Sequence, residues 1–344
     1  MNDKTLPDLG WSEHFARQLS ESDADHSPAR VAEIHRDRLV VVTPGGSFNL
    51  HPREASGAYA VGDWVLTDGT SAVRRLTPVS DLSRRAAGPG VAAQRIAANI
   101  DTIGIVTSCN EDFSVPRLER YLALVSSAGC LPLVILTKAD KAEDAAGYLR
   151  QAEKLSPLVT ALALNAKDPE EAARLTPWCS KAQTLALIGS SGVGKTTLRN
   201  TLTGETAETR EARADDARGR HTTTFRALRP TLAGGWLIDT PGMRELQLAD
   251  ASEGIGAVFD DLEVLASACR FSNCGHDSEP GCAVKAAVDA GAVEPERVAR
   301  WQKLLREDRY NSETLAQSRD RQKRFTKRVK GAMQKAQIKR DVER

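Results

Sequence analysis

The sequence predicts a multidomain α/β chain: a small β-barrel near the N-terminus, then a parallel sheet with helices on both faces, then a helical C-terminal region. Three observations predict it. About five short β-rich runs, split by turn residues, follow Ala29. Apolar runs that suit buried strands then alternate with helical patterns as far as Asp239. A compact group of Cys and His residues finally interrupts an otherwise helical pattern. The length of 344 residues accommodates two to three domains at roughly 150 residues each.

The composition is that of ordinary globular proteins, 41% hydrophobic and 27% charged, which excludes disordered, collagen-like and coiled-coil classes. No apolar run approaches the length of a membrane span, and the first residues show neither a basic start nor an apolar signal segment, so the expectation is a cytoplasmic protein without membrane contact. The net charge of +1 is unevenly spread. From Arg319 to Arg344, eleven Lys and Arg stand against three acidic residues, a net of +8 that leaves −7 on the rest of the chain.

Taken in order, residues 1–28 are polar with one short amphipathic patch and read as a mobile arm. Residues 29–88 hold the runs RVAEIH, RLVVVT, SFNLH, AVGDWVLT and AVRRLTPV, punctuated by Pro44-Gly45-Gly46 and Asp68-Gly69. Five short strands in this space fit a barrel of the oligonucleotide-binding (OB) type, used either for RNA or simply as a packing module. Gly88-Pro89-Gly90 reads as the boundary to a second domain over 89–250. There IDTIGIVT, LPLVILT, LVTALALN, TLALIG and WLIDT alternate with helices, and ligands of such sheets bind at the carboxyl ends of the strands. Residues 251–344 form a helical region around the Cys/His group, ending in charged helices.

The second domain carries the chemistry. Gly189-Ser190-Ser191-Gly192-Val193-Gly194-Lys195-Thr196 matches the phosphate-binding G-x-x-x-x-G-K-[ST] between a strand and a helix. Backbone N–H groups wrap the phosphates there, Lys195 reaches the β and γ oxygens, Thr196 ligates Mg²⁺, and Thr197 continues the nucleotide-binding turn. Asp239-Thr-Pro-Gly242 ends the next strand, where the aspartate can hold Mg²⁺ through water and the Gly242 N–H can sense the γ-phosphate; a plain Asp-Pro-Gly turn is the simpler reading. Thr137-Lys138-Ala139-Asp140 resembles the guanine-reading N-K-x-D of GTPases. Guanine offers two adjacent donors to one carboxylate, so Asp140 reads the base while the Lys138 stem lies along it. Thr137 lacks an amide to reach both the base and the phosphate loop, which predicts weaker nucleotide binding. Leu164-Asn165-Ala166-Lys167 lies where GTPases support the base through backbone N–H groups, with Asn165 in place of the usual serine.

The order of these motifs is informative. Base recognition precedes the phosphate loop, the reverse of ordinary GTPases, so the domain is circularly permuted; strands need their places in the sheet and not a sequence order. Gly219-Arg220-His221-Thr222-Thr223-Thr224 occupies the first-switch position, with Thr223 or Thr222 placed to close on Mg²⁺. Met243 follows Gly242 where a water-orienting glutamine stands in Ras-like enzymes, so intrinsic turnover should be slow. His221 is the nearest substitute, or else an unremarkable surface histidine. Cys269, Cys274, His276 and Cys282 supply three thiolates and an imidazole, a full tetrahedral set for structural Zn²⁺, with free buried cysteines as the alternative. Phe325, Val329 and Met333 recur at four-residue spacing in the basic tail, which suits either RNA contact or a solvated helix.

Together, the barrel, the permuted TKAD, GSSGVGKT and DTPG, the GRHTTT segment and the Cys/Cys/His/Cys group resemble the RsgA (YjeQ/YloQ) family of small-subunit-dependent GTPases over about residues 29–330. The resemblance implies a late assembly factor of the 30S ribosomal subunit. Its GTP hydrolysis would be stimulated by that subunit and accompany release from it, with 16S rRNA, GTP and GDP as further partners and a monomeric state. The competing reading is a GTP-dependent switch acting on a non-ribosomal protein.

Overall fold

The computed structural model describes residues 4–85, 93–157, 159–205, 226–240, 248 and 251–312. Its strands are β1 (Ser27–Ile34), β2 (Leu39–Thr43), β3 (Gly46–Pro52), β4 (Trp64–Thr67), β5 (Ser71–Arg75), β6 (Asp81–Arg85), β7 (Ala93–Ala98), β8 (Thr102–Ser108), β9 (Leu131–Thr137), β10 (Thr160–Ala163), β11 (Thr184–Gly189), β12 (Ala227–Pro230) and β13 (Trp236–Asp239). The α-helices are α1 (Glu13–Ala16), α2 (Val115–Ser127), α3 (Ala145–Glu153), α4 (Pro169–Ala172), α5 (Lys195–Thr203), α6 (Ser252–Val258), α7 (Asp260–Ser267), α8 (Ala283–Asp289) and α9 (Pro295–Ser312).

Strands β1 to β5 close into a ring. β1 pairs with β2, β2 with β3, β3 in parallel with β5, β5 with β4, and β4 back onto β1. Alternation along β1 and β2 sends Ala29, Val31, Leu39 and Val41 into the lumen, where Leu50, Tyr59, Val65 and Ala72 complete a small core. β4 is buried on both faces: Val65 fills the barrel, while Trp64 and Leu66 point outward into the main core of the molecule. The five-stranded barrel is the OB-like one expected.

The segment read as a mobile arm packs instead. Leu9 and Phe15 are buried, and the Trp11 ring meets the Trp64 ring edge-on at 4.9 Å between centroids. Leu6, Leu9, Trp11 and Phe15, in a largely polar stretch, suffice when a barrel wall with an outward tryptophan receives them. The boundary read at Gly88-Pro89-Gly90 lies outside the described residues, but β6 before it and β7 after it pair antiparallel, so the chain does not pass there from one separate sheet to another.

The second sheet runs β10-β9-β8-β11-β13-β12, parallel except for β12. Its strands are continuous apolar runs because both faces are covered. Ala186 and Ile188 of β11 face one core with α2 and α6, whereas Leu185 and Leu187 face the other with α5. A single register pair, Glu33 with Ala227, carries the barrel onto the edge strand β12.

Arg30 secures the joint between the two. Fully buried on the outer face of β1, it donates to the carbonyls of Leu9 at 2.7 Å and Asn99 at 3.0 Å and to the Thr184 hydroxyl at 2.9 Å. Burial lowers its pKa to about 10, against the opposing pull of Asp101. Among the C-terminal helices α6 packs on α2, α9 and α7 pack on α6, and α8 on α7, with Ile255, Phe259, Val284 and Trp301 joining the main core. Among the described residues no helix is long and apolar enough to cross a membrane.

Candidate active site

The five parallel strands all end on one edge of the sheet, at Ser108, Thr137, Ala163, Gly189 and Asp239, and that edge gathers the residues singled out in the sequence. Gly189 leaves β11 at φ +142°, and a Cβ there would lie 2.1 Å from the Val106 carbonyl of the neighbouring strand. Only glycine passes. Gly194 takes φ +97° as the residue capping α5, so the loop ends by aiming N–H groups of the first helical turn at whatever it encloses. Ser191 and Gly192 at the loop tip are exposed, Val193 is buried as its apolar foot, and Thr196 and Thr197 are half-buried on the first turn of α5. The Lys195 ammonium turns back onto its own loop, donating to the carbonyls of Gly189 and Ser190. Two residues from outside the motif reach it: Arg117, in the first turn of α2, donates to the Ser190 hydroxyl at 3.1 Å, and the Tyr121 phenol bonds to the same hydroxyl.

The base-recognition segment is tied directly to this loop. Thr137 is fully buried, its hydroxyl donating to the Val193 carbonyl at 2.5 Å and lying 3.1 Å from the Thr107 carbonyl. Without an amide, Thr137 still reaches the phosphate loop through its hydroxyl, which is the half of the asparagine's work that the structure shows it doing. Lys138 follows in a left-handed turn at φ +57°, and Asp140 is exposed at the mouth. The Ala139 N–H meets the Leu164 carbonyl at 3.4 Å, joining this turn to Asn165 and Ala166. The side-chain oxygen of Asn165 accepts from the Lys167 N–H at 3.0 Å, and the Thr201 hydroxyl of α5 donates to the Ala166 carbonyl at 2.9 Å. The structure thus draws Thr137, Lys138, Asp140, Asn165, Ala166 and the phosphate loop into one site.

Asp239 closes the far side. It is buried, and one carboxylate oxygen accepts from Arg199 of α5 at 2.8 Å. Beside it, the Thr240 hydroxyl donates to the Leu187 carbonyl at 2.6 Å, fixing the end of β13 against β11. His221, Thr222, Thr223, Gly242 and Met243 lie outside the described residues, as does the basic tail. Arg117, Tyr121 and Arg199 belong to none of the sequence motifs. Arg199 does leave a signal, a charged residue three positions after Thr196 and next to Leu198 on the buried side of an amphipathic helix.

About the C-terminal helices, Cys269, Cys274, His276 and Cys282 converge until their ligating atoms all lie within 4.8 Å of one another. The His276 Nδ1 is 3.6 Å from the sulfurs of both Cys269 and Cys282, and those sulfurs are 3.9 Å apart. Tetrahedral zinc with its usual bond lengths needs edges of about 3.6 Å for N to S and about 3.8 Å for S to S, so this donor set fits the ion. Backbone N–H groups of Ala283 and Lys285 point at two of the sulfurs, which favours thiolate. The intervening loop is pinned by Glu279, whose carboxylate accepts from the N–H groups of Gly275, Asp277 and Ser278; these bonds hold its pKa down at about 2.

Comparison with known proteins places this geometry. The family model described as RsgA GTPase matches residues 78–249. The small ribosomal subunit biogenesis GTPase RsgA of Mesorhizobium japonicum is 51% identical over 316 residues, covering 90% of this chain and 91% of that one. The chain belongs to the RsgA GTPase family. It is a GTP-hydrolysing enzyme. RsgA 2 of Vibrio vulnificus is 47% identical, covering 94% of this chain and 93% of its own. Among solved structures, YjeQ from Thermotoga maritima superposes with a TM-score of 0.61 at 23% identity, over 82% of this chain and 98% of that one. YloQ, described as a circularly permuted GTPase, does so at 0.59 and 22%, over 86% and 99%. These two share the fold, including the permuted order seen in the sheet. A second model, described as ABC transporter, matches residues 172–341, a span that holds the phosphate loop common to many nucleotide-binding folds but omits the base-reading segment.

Proposed function

We propose that this RsgA-family GTPase acts in late assembly of the 30S ribosomal subunit, contacting 16S rRNA, with hydrolysis stimulated by the subunit and coupled to release from it. The observation that carries the reading is identity of about half over nine-tenths of the chain to proteins named for small-subunit biogenesis. The residues add a physical reason. Met243 cannot orient water, so an external surface must complete the site, with His221 as the chain's own candidate for that task. Asp140 reads guanine, supported by Asn165 and Ala166; Ser190, Ser191, Gly192, Val193, Lys195 and Thr197 hold the phosphates; and Gly242 senses the last of them. Thr196 and Thr223, with Asp239, would hold Mg²⁺, which neutralises charge on the transferring phosphoryl group. Cys269, Cys274, His276 and Cys282 hold one structural Zn²⁺. The protein works as a cytoplasmic monomer.

The test is GTP turnover by the full chain alone and with 30S subunits, 50S subunits or naked RNA, with co-sedimentation in a non-hydrolysable GTP analogue. Marked acceleration and binding with 30S alone is expected. A protein that hydrolyses GTP but neither binds nor responds to 30S particles at low salt would instead be a switch with a non-ribosomal target.

A further inference from the structure

Asp239 and Arg199 form an ion pair at the floor of the nucleotide site, with side chains only 9% and 8% exposed and 2.8 Å between Oδ2 and Nη1. The arginine belongs to α5, the helix that the phosphate loop caps, and stands one turn beyond Thr196. Residues three apart share a helix face, so this side chain ties Asp239 to the same face of α5 that carries Thr196, the other residue assigned to magnesium. An unpaired carboxylate in such a buried place would be costly, and a cation beside it is therefore expected. The manner of pairing says more. A guanidinium that merely stood in for a metal would cover both carboxylate oxygens with its two-pronged face. Here the prongs are divided: Nη1 goes to one oxygen of Asp239, while Nε and Nη2 go to the Asn200 side-chain oxygen at 3.3 and 3.1 Å.

We propose that Arg199 is a positioning residue for the magnesium-holding carboxylate: anchored by Asn200, it takes Oδ2 of Asp239 and fixes the carboxylate so that its other oxygen serves the ion. The arrangement is the hydrogen-bonded outer support that metal-holding carboxylates generally require. It rests on the reading of Asp239 as the magnesium aspartate.

The experiment follows release of a fluorescent N-methylanthraniloyl-GDP from the full chain across a series of MgCl₂ concentrations and in EDTA. In Arg199→Met the magnesium concentration that half-slows release should rise by roughly 10- to 100-fold, the usual cost of losing such a support, while release in EDTA stays within about threefold of wild type. Arg199→Lys, which keeps the charge and can still donate to Asp239, should recover most of the shift. Release accelerated equally with and without magnesium would reduce Arg199 to a packing role and overturn the proposal. A fall in the magnesium requirement would overturn it as well, by making Arg199 a competitor of the ion. Should Arg199→Met not fold, Asn200→Ala frees the guanidinium from its anchor and should raise the requirement in the same direction; no shift there sinks the idea. Asp239→Asn separates the two readings, because an unchanged magnesium dependence in that variant removes Asp239 from the metal site itself.

Discussion

Asp140 and Thr137 stand three residues apart and do unlike work. Asp140 is exposed at the site mouth, and its carboxylate matches the two adjacent donors of guanine. Asp140→Asn should weaken GTP binding by about 2–5 kcal/mol, the range for losing one partner of a charged hydrogen-bonded pair, and should improve xanthosine nucleotide binding, as read by competition titration. Thr137 is buried, and its substitution acts on the loop it touches. Thr137→Val keeps the shape but strands the Val193 carbonyl, so it should cost about 1–3 kcal/mol in thermal unfolding and weaken GDP, whereas Thr137→Ser should do little. A motif suggests the role proposed for Asp140 in advance. That of Thr137 depends on where the fold brings the Val193 carbonyl, a distance that no spacing in the sequence encodes.

At the scale of elements, the Cys/His loop is the clearest case of sequence dictating structure, since four donors in fourteen residues leave few ways to arrange the tetrahedron proposed for zinc. Metal analysis of the freshly purified protein should find one Zn²⁺ per chain, and Cys274→Ala should lose it, with α7 to α9 becoming labile in hydrogen exchange while GDP still binds. Acid should release the metal by protonating its ligands, not by loosening the loop. The Glu279 carboxyl is held at about 2, so its stabilising bonds are fully present above the ordinary carboxylate range and vanish only as pH falls towards that value. Strands and helices of the nucleotide domain are equally legible, because alternating apolar runs and a phosphate loop between strand and helix admit one reading. Residues 4–28 are not. Their polar composition conceals four apolar side chains that pack on the core, and only the position of Trp64 on the outside of the barrel reveals what those side chains cover.

The whole molecule turns on α2. One end touches the phosphate loop through Arg117 and Tyr121, and its other side grips the C-terminal region: Glu119, completely buried, receives Arg300 at 2.7 Å and Arg297 at 3.5 Å, and Arg120 pairs with Glu307. The motif order suggests that nucleotide state acts on the zinc region through the chain after Gly242; this helix is a second route between the same two places. Glu119→Gln would leave the half-buried Arg300 guanidinium without its carboxylate, at a cost of about 3 kcal/mol, while Arg297 keeps Asp261, and hydrogen exchange should rise along α9. An unaltered α9 would show that α2 does not hold it. The charged tail beyond Arg319 belongs to this scale as well. Its removal should weaken association with 30S particles and flatten the dependence of log affinity on log salt, by roughly one unit of slope for each phosphate the tail neutralises.

The permuted strand order also sets a timetable for synthesis. β8, β9 and β10 leave the ribosome before β11, which lies between β8 and β13 at the centre of the sheet. Until Thr184–Gly189 emerges, β8 has a bare edge with Ile103 and Ile105 beside it, the kind of surface on which nascent chains aggregate. The barrel waits as well, since the Thr184 hydroxyl that receives buried Arg30 is made 154 residues later. A nascent chain halted before residue 184 should therefore be bound by chaperones, and one carried past β13 should be released from them.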